Sequence, residues 1–184
     1  GRSASIVDNL NRKLFFKWNS KGFVASVKGE NKRSSKYEYN DKGELVKSVD
    51  AAGNVYRYAY DKNHNMNKIT YADKTTMEVG YYGEDKNQNV RFKKDRDGTR
   101  TEYGYRMNKR DPSKYGVSVR IKDSKGGLIS SSSYDYVYKR KKNGERWTSK
   151  MVSNLDGDVT ETEYNECCGL PVKIKRGKDI TTFK

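Results

Sequence analysis

The sequence predicts an all-β protein, an antiparallel meander of about seven β-hairpin repeats that forms a long twisted or curled single-layer sheet. Tyrosines alternate with other residues, as in Tyr37-Glu38-Tyr39, and side chains two apart share one face of a strand. Segments rich in Asn, Asp and Gly separate these runs and predict turns, because Asn and Asp bond the local backbone and Gly accepts positive φ. The pattern recurs at about 21 residues, which accommodates two short strands and two turns.

The clearest unit spans residues 37–60. Its first strand leads into the turn at residues 40–43, and a second strand at residues 45–49 leads into the turn that ends at Gly53. A third run then places Tyr56, Tyr58 and Tyr60 on one face. Two strands and two turns therefore make one repeat.

The last aromatic residue before each turn marks seven repeats. The markers are Trp18, Tyr39, Tyr60, Tyr82, Tyr105, Tyr138 and Tyr164, at intervals of 21, 21, 22, 23, 33 and 26 residues. A second row of turns lies between them, so roughly fourteen strands are expected, in units that cannot bury a face alone. The residues that define the repeat are Trp18, Gly22, Tyr37, Tyr39, Gly43, Leu45, Gly53, Tyr58, Tyr60, Tyr103, Tyr105, Tyr136, Tyr138, Tyr164 and Gly169.

We divide the chain into an N-terminal cap or leading segment, residues 1–14, and a repeat domain, residues 15–184. Ile6, Val7 and Leu10 fit either one helical turn or a strand that covers the first edge of the sheet. Residues 179–184 resemble the opening strand of another hairpin. An unpaired edge there would meet a second copy edge to edge or continue into further repeats.

The composition favours thin layers over a thick aliphatic core. Hydrophobic residues make up 33% of the chain, and tyrosine supplies 15 of the aromatic residues. The formal net charge is +15, which would attract nucleic acid, anionic lipid or acidic polysaccharide. Spread lysines also keep a sheet soluble and protect its edges. No run of 18 apolar residues occurs, so no transmembrane segment is expected.

The unit at residues 37–60 resembles the YD repeats of the RHS family, whose motif is Tyr-x-Tyr-Asp-x-x-Gly-x-Leu. Tyr37 to Leu45 carries the motif with Asn40 in place of Asp, and Tyr58, Tyr60 and Asp61 begin the next copy. The resemblance implies a β-ribbon that, in large bacterial toxin complexes and teneurins, spirals into a hollow shell. It implies non-enzymatic scaffolding in an exported or envelope setting, and it transfers no catalytic residue.

Two segments that depart from the repeat are candidate interaction sites, because loops tolerate changes of sequence that paired strands do not. A lengthened turn spans residues 107–116, and a basic turn spans residues 139–142. The lengthened turn is also consistent with an insertion that has no function. The candidate loop residues are Lys109, Arg110, Asp111, Lys114 and Tyr115, and the candidate turn residues are Lys139, Arg140, Lys141 and Lys142.

Reactive residues are few. The single histidine, His64, is expected in a turn, and no catalytic residue, metal site or cofactor is predicted. Cys167 and Cys168 fall in the turn of the last unit as free thiols, a vicinal disulfide or a bridge to another chain. Glu161 and Glu163 share a strand face, which superficially suggests paired carboxylates, but their alternation with threonines favours a solvated face.

The sequence thus favours a non-enzymatic scaffold or adhesion module of a bacterial envelope or secreted assembly, with a protein or anionic polymer as partner. The alternative is a polyanion-binding protein that uses a basic, tyrosine-rich sheet on nucleic acid or anionic cell-wall polysaccharide. A third hypothesis is a fragment of a toxin or effector. We expect a secreted, periplasmic or cell-envelope location.

Overall fold

The structure, a computed structural model, describes residues 2, 4–83, 88–108 and 110–183. The chain divides into two compact units, Gly1–Gln88 and Asn89–Lys184. The strands of the first unit are β1 (Ser5–Val7), β2 (Lys13–Trp18), β3 (Val24–Gly29), β4 (Ser34–Tyr39), β5 (Leu45–Val49), β6 (Val55–Tyr60), β7 (Met66–Thr70) and β8 (Thr76–Tyr81). Those of the second are β9 (Val90–Lys94), β10 (Arg100–Met107), β11 (Lys114–Lys122), β12 (Leu128–Arg140), β13 (Arg146–Leu155), β14 (Asp158–Tyr164), β15 (Pro171–Arg176) and β16 (Asp179–Thr182).

The predicted all-β meander is confirmed. In each unit, every strand pairs antiparallel with the next one along the chain, without a crossover. The described residues form sixteen strands rather than about fourteen, because the leading segment and the C-terminal segment each supply one. Ile6 and Val7 lie in β1, opposite Leu14 and Lys13, so the leading segment is a strand and not a helical turn. None of the described residues belongs to a helix that could cross a membrane.

Ten of the described turns have one hydrogen-bond pattern. In the turn after β4, Asn40 N–H donates to Glu44 O at 3.0 Å and Gly43 N–H donates to Asn40 O at 3.1 Å. Gly43 has a φ of +84°, which completes a type I turn followed by a left-handed residue. His64 occupies the equivalent position after β6 with a φ of +67°. The motif glycine is therefore replaceable without loss of the turn.

A carboxylate or amide oxygen stabilises each of these turns from one of two positions. In six turns the first residue accepts backbone N–H groups, as Asp50 does from Ala52 and Asn54 at 2.8 and 2.9 Å. The others are Asp8, Asn19, Asn40, Asp61 and Asp123. In four turns the third residue takes over, namely Asn31, Asp73, Asp97 and Asn143. Turns that begin with Gly29, Tyr71 or Lys141 can form because the acceptor oxygen comes from the third residue instead of the first.

A tyrosine hydrogen bond ties successive repeats of the first unit together. The hydroxyls of Tyr39, Tyr60 and Tyr81 donate to carbonyl oxygens fifteen residues earlier, at 3.1, 3.0 and 2.9 Å. The acceptors are Val24, Leu45 and Met66, the first residues of β3, β5 and β7. Donors and acceptors both recur every 21 residues. Tyr81, rather than its neighbour Tyr82, is therefore the structural counterpart of Tyr60.

The strand register separates an uncharged face from a charged face in the first unit, because directly paired residues share a face. The uncharged face consists of Phe16, Val27, Ser35, Tyr37, Ser48, Tyr56, Tyr58, Ile69 and Met77. The charged face consists of Lys17, Lys36, Glu38, Lys47, Arg57, Lys68 and Glu78. Both carboxylates are paired across strands, Lys47 Nζ with Glu38 Oε1 at 2.7 Å and Lys68 Nζ with Glu78 Oε1 at 3.4 Å.

The second unit has a less complete division, because Lys93, opposite Thr101, and Arg176, opposite Thr160, lie on its mainly uncharged face. Its uncharged face includes Tyr103, Tyr105, Met107, Tyr115, Val117, Tyr134, Tyr136, Met151, Ser153, Thr160, Thr162 and Ile174. The opposite, charged face carries the pairs Arg106–Asp135 and Lys122–Glu102, with nitrogen–oxygen distances of 2.6 and 2.9 Å. No hydrophobic side chain among the described residues is fully buried, and the buried side chains are Ser149, Ser153 and Thr162. In each unit, the least exposed residues are thus those that contact their neighbours within the sheet.

Candidate interaction surface

The structure brings the lengthened loop and the basic turn together at one end of the second unit. Tyr138 N–H donates to Ser113 O at 2.7 Å, and the Arg146 guanidinium donates to Pro112 O at 3.1 Å. The loop is shorter than predicted: β10 runs through Met107 and β11 begins at Lys114, so residues 107 and 114–116 belong to strands. The extended strands pair with each other, which is why these residues are not in the loop.

The basic turn is also partly strand. Lys139 and Arg140 are the last residues of β12, and the turn proper runs from Lys141 to Glu145. Lys139 lies opposite Trp147 and Arg140 opposite Arg146 in the ladder with β13. Successive strand residues point to opposite faces, so the four basic side chains do not form one continuous patch.

A cleft of about 540 Å³ lies between these segments, and we call it the rim cleft. It is lined by Met107, Asn108, Pro112, Lys114, Tyr115, Tyr138 and Arg146. The Arg146 Cζ lies 3.8 Å from the centroid of the Tyr138 ring, a cation–π contact. A smaller adjoining cleft adds Lys139 and Arg140 to the surroundings of Tyr138. Among the described residues, neither lining contains a carboxylate.

Three tyrosines form a row along this end of the uncharged face. The ring centroids of Tyr136 and Tyr138 are 6.2 Å apart at 20°, and those of Tyr115 and Tyr136 are 6.4 Å apart at 31°. Burial raises the pKa of the Tyr115 hydroxyl above its ordinary value, and Tyr138 adds to the effect. Burial likewise raises the pKa of Tyr136. The hydroxyls of Tyr115 and Tyr136 are therefore neutral at physiological pH, and the three rings provide an aromatic wall.

The cations near the cleft differ in how they are neutralised. Lys114 Nζ lies 3.0 Å from Asp111 Oδ2, and Lys141 Nζ lies 3.0 Å from Glu145 Oε2. The hydrogen bond from Ser113 and the neighbouring Lys114 keep the pKa of the Asp111 carboxyl low, so this carboxylate stays ionised. Arg146 instead contacts a ring and a neutral carbonyl, and no carboxylate among the described residues pairs with it.

The remaining candidate loop residues either stabilise the loop or lie outside the residues that the structure describes. Arg110 donates its backbone N–H to the Asn108 side chain at 3.0 Å, which shapes the loop. Lys109 lies outside the described residues. Of the candidate loop residues, Lys114 and Tyr115 line the rim cleft.

Arg146, Pro112 and Met107 were not among the sequence-based candidates. Arg146 could have been found from the hairpin itself: the turn at Lys141 to Glu145 makes Arg140 and Arg146 cross-strand partners. Arg146 therefore lies on the same face of the sheet as Tyr138. No sequence pattern predicts the role of Pro112, because the conformation of the loop determines where its carbonyl group lies.

The two cysteines form a vicinal disulfide. Cys167 and Cys168 are bonded to each other within the turn between β14 and β15. Asn165 shapes this turn by accepting the N–H groups of Cys168 and Leu170 at 3.2 and 3.1 Å, and Gly169 has a φ of +67°. Of the three states that the sequence leaves open, the structure therefore has the intrachain bridge.

His64 occupies a turn, in contact with the preceding turn of the same edge. Its Nδ1 lies 2.6 Å from Glu44 Oε1. The hydrogen bond from Asn40 first, and then that from His64, lower the pKa of Glu44. Lys21 makes a corresponding contact with Asp41 at 3.1 Å. These pairs link successive turns, and neither offers a catalytic or metal-binding set; none of the described residues forms a group of three or more metal-ligating side chains.

Glu161 and Glu163 do not act as a carboxylate pair. Each is bound by a lysine from a neighbouring strand, Lys150 at 2.7 Å and Lys173 at 3.2 Å. Lys150 holds the pKa of Glu161 below its ordinary value. Hydrolysis by two carboxylates requires one of them to carry a proton, and the lowered pKa of Glu161 disfavours that form for Glu161.

Another cleft, of about 600 Å³, lies in the first unit. Its lining includes Ile6, Leu14, Val27, Asp8 and Arg12. Asp8 and Arg12 pair with each other at 2.6 Å, and Glu30 adds a further carboxylate. Its described lining therefore carries charges of both signs, whereas the charged residues that line the rim cleft are cations.

A known protein family matches the part of the chain where the hydrogen bonds of the tyrosine hydroxyls recur most regularly. Residues 39–76 match the family model described as RHS Repeat. The chain contains an RHS repeat. It runs from the end of β4 to the start of β8 and includes the donors Tyr39 and Tyr60 with the acceptors Leu45 and Met66. The family resemblance of the sequence is thus confirmed.

The chain also has similar solved structures. One is the Photorhabdus luminescens Tc holotoxin pore with a mutation in TccC3, at 12% identity and a TM-score of 0.44, covering 93% of this chain and 14% of that chain. Another is the crystal structure of TcdB2-TccC3, at 10% identity and a TM-score of 0.42, covering 90% and 12%. The chain therefore spans a small fraction of those proteins. No curated protein matches it in sequence.

Proposed function

We propose that this protein is a non-enzymatic β-repeat scaffold, or adhesion module, of a bacterial envelope or secreted assembly. The observation that carries the proposal is the recurrent tyrosine bond of β4, β6 and β8 in sheets without a buried hydrophobic side chain among the described residues. Catalysis benefits from an enclosed site that excludes water. A single layer with two open faces instead offers surface area for contact with other molecules.

The uncharged face is the surface expected to be covered in the assembly. Tyr37, Tyr56 and Tyr58 lie on this face, whereas Glu38 and Lys47 lie opposite and pair with each other. Apolar and aromatic area gains free energy on burial, roughly 25 cal/mol per Å², whereas desolvating an ion pair costs free energy. A protein partner, or further repeats of a longer chain, would therefore bind on the tyrosine side.

Hydroxyl-radical footprinting of the isolated protein and of the native assembly tests the proposal. Protection in the assembly should concentrate on Tyr56, Tyr58 and Met77 of the uncharged face, while Lys36 and Lys47 stay reactive toward an amine reagent. Equal protection of the two faces would contradict the proposal. Fractionation of source cells provides an independent check, because the protein should occur in the medium or envelope fraction.

The vicinal disulfide supports the exported setting. Disulfides persist in secreted and periplasmic proteins and are rare where thiol-reducing systems operate. Cys167 and Cys168 thus fit an extracytoplasmic location.

We propose polyanion binding as a second function, favoured by the excess of cations on the charged face. Lys17, Lys36 and Arg57 have no ion-pair partner among the described acidic residues, and Glu38 and Glu78 are already paired. The chain carries a net charge of +15. Affinity for an anionic polymer should fall steeply between low and high salt, since binding releases counterions. Absence of binding to every polyanion at low salt would refute this function and leave the scaffold proposal intact.

A further inference from the structure

We propose that the disulfide between Cys167 and Cys168 is an attachment site for a partner protein that carries a free thiol. The partner's thiolate opens the bridge and stays bound to this chain through a mixed disulfide. This inference rests on the proposed scaffold function and adds to it a covalent contact and the chemical class of the partner.

The bridge is exposed at the tip of a hairpin. Residues 166–170, which include both cysteines, are all exposed, and they lie between the last paired residues of β14 and β15, Tyr164 and Pro171. Exposed disulfides exchange with thiols more readily than buried ones, because the attacking thiolate needs access to a sulfur atom. Leu170 is 59% exposed in the same turn and offers apolar contact area to a partner beside the bridge.

The turn has its own hydrogen bonds, which do not depend on the bridge. The Asn165 side chain accepts the N–H groups of Cys168 and Leu170, and the backbone N–H of Asn165 donates to Leu170 O at 2.9 Å. A disulfide stabilises a fold mainly by closing a loop in the unfolded chain, and adjacent residues close the shortest loop possible. Opening the bridge therefore leaves the turn and the pairing of β14 with β15 intact.

The reaction is thiol–disulfide exchange, which needs no oxidant or reductant other than the partner's thiol. The partner's thiolate attacks one sulfur atom of the bridge and forms a new S–S bond with it. The bond between Cys167 and Cys168 breaks, and its electron pair leaves with the other sulfur atom as a thiolate. The partner's sulfur is thereby oxidised, and the released cysteine is reduced and takes up a proton from the solvent.

The partner is a different protein from this chain. Cys167 and Cys168 are the only cysteines of this sequence and are bonded to each other, so a second copy has no thiol to begin the exchange. The mixed disulfide persists because the bridge re-forms less favourably between neighbours in sequence than between residues at the usual separation. The two Cα atoms are 3.8 Å apart, whereas those of disulfide-bonded residues are usually about 4.4 to 6.8 Å apart.

The first experiment treats the whole chain, without air, with a limiting amount of an uncharged peptide that has one reduced cysteine. Alkylation and mass spectrometry follow. One peptide should add at Cys167 or Cys168 with its full mass, and the other cysteine should be alkylated. Coupling to a thiol that was already free would instead lose two hydrogen atoms and would overturn the site. The rate should rise about tenfold per pH unit between about pH 6 and 8, because the thiolate is the nucleophile.

Cys168→Ser is the matched control, because it keeps one thiol and has no bridge to attack. It should form no adduct under the same conditions, and Cys167→Ser should behave in the same way. Thermal denaturation establishes that each variant is folded. Equal adducts on the wild type and on Cys168→Ser, or wild-type adducts only after unfolding in urea, would overturn the site. Reduction of both cysteines without a mixed disulfide at any time would also overturn it.

The native assembly tests the partner. N-ethylmaleimide added to source cells blocks free thiols and preserves mixed disulfides. This chain should then migrate on a non-reducing gel as a larger species that reduction removes, with a cross-linked peptide that contains Cys167 or Cys168. A small-molecule thiol as the only adduct would overturn the protein partner. Absence of the covalent species, together with a footprint confined to the uncharged face, would overturn the attachment and leave the scaffold proposal intact.

Discussion

The tyrosine hydrogen bond between repeats predicts a specific loss of stability in Tyr60→Phe. The substitution removes the 3.0 Å bond from the Tyr60 hydroxyl to Leu45 O and keeps the ring. Because the bond lies in a half-buried position, we expect a decrease of about 1 kcal/mol in the free energy of unfolding. For a chain of this length, that corresponds to a fall in Tm of about 2 to 4 °C.

The matched control for this prediction is Tyr37→Phe. Tyr37 lies in β4 on the same uncharged face, and its hydroxyl has no hydrogen-bond partner among the described residues. Its replacement should change the free energy of unfolding by less than about 0.5 kcal/mol. Urea denaturation followed by circular dichroism measures both variants. Equal losses would contradict the prediction, because only Tyr60→Phe removes a hydroxyl hydrogen bond.

The same hydroxyl predicts the response to alkaline pH. Burial first, and then the nearby Glu44, raise the pKa of Tyr60 above its ordinary value near 10. Since the folded state holds the proton more tightly than the unfolded state, this stabilisation is complete below pH 10. It is lost as the pH rises through the folded-state pKa. The Tm should therefore fall above pH 10, and it should fall less in Tyr60→Phe; identical profiles would contradict the reasoning.

Two other predictions concern turns. Gly43→Ala should destabilise the protein more than Gly53→Ala in urea denaturation. Both positions have positive φ, which costs a non-glycine residue about 1 to 2 kcal/mol, but only at Gly43 would the new Cβ meet a ring, 2.8 Å from Phe23 Cζ. Reduction of Cys167 and Cys168 should expose two thiols to a labelling reagent and change the free energy of unfolding by less than about 1 kcal/mol, because the closed loop is minimal. Labelling of both thiols before reduction would contradict the bridge.

The fold could be predicted from the sequence because its signals are local. Alternation in residues 37–39 gives the strand, and Asn40 with Gly43 gives the turn. The hydroxyl bond of Tyr60 could not be predicted, since nothing local shows that the side chain reaches a carbonyl of the preceding strand. Tyr81 and its neighbour Tyr82 are both aromatic; the interval of 21 residues from Tyr60 favours Tyr81, and the bond to Met66 O identifies it as the repeating position.

The candidate site could be predicted only in part. The sequence identifies the two segments that depart from the repeat, and the structure places them beside one cleft. Tyrosine and lysine neighbours such as Tyr37 and Lys36 lie on opposite faces, because adjacent strand residues alternate. Alternation of tyrosine and lysine along a strand therefore does not place both on the face where a ligand ring would stack. Aromatic and cationic groups meet where a hairpin turn brings Arg146 back over Tyr138.

The lengthening of several adjacent strands argues that the rim cleft is one elaborated feature. An insertion confined to the loop after β10 would leave the neighbouring strands at the five or six residues of β9 and β15. Instead β10, β11, β12 and β13 have 8, 9, 13 and 10 residues, and their added positions pair with one another, as Met107 does with Tyr115 and Lys114 with Val137. Paired extension satisfies the backbone groups that a single long strand would leave exposed at its end. The two departures from the repeat therefore depend on each other, and Arg146 and Tyr138 occupy the position that both of them create.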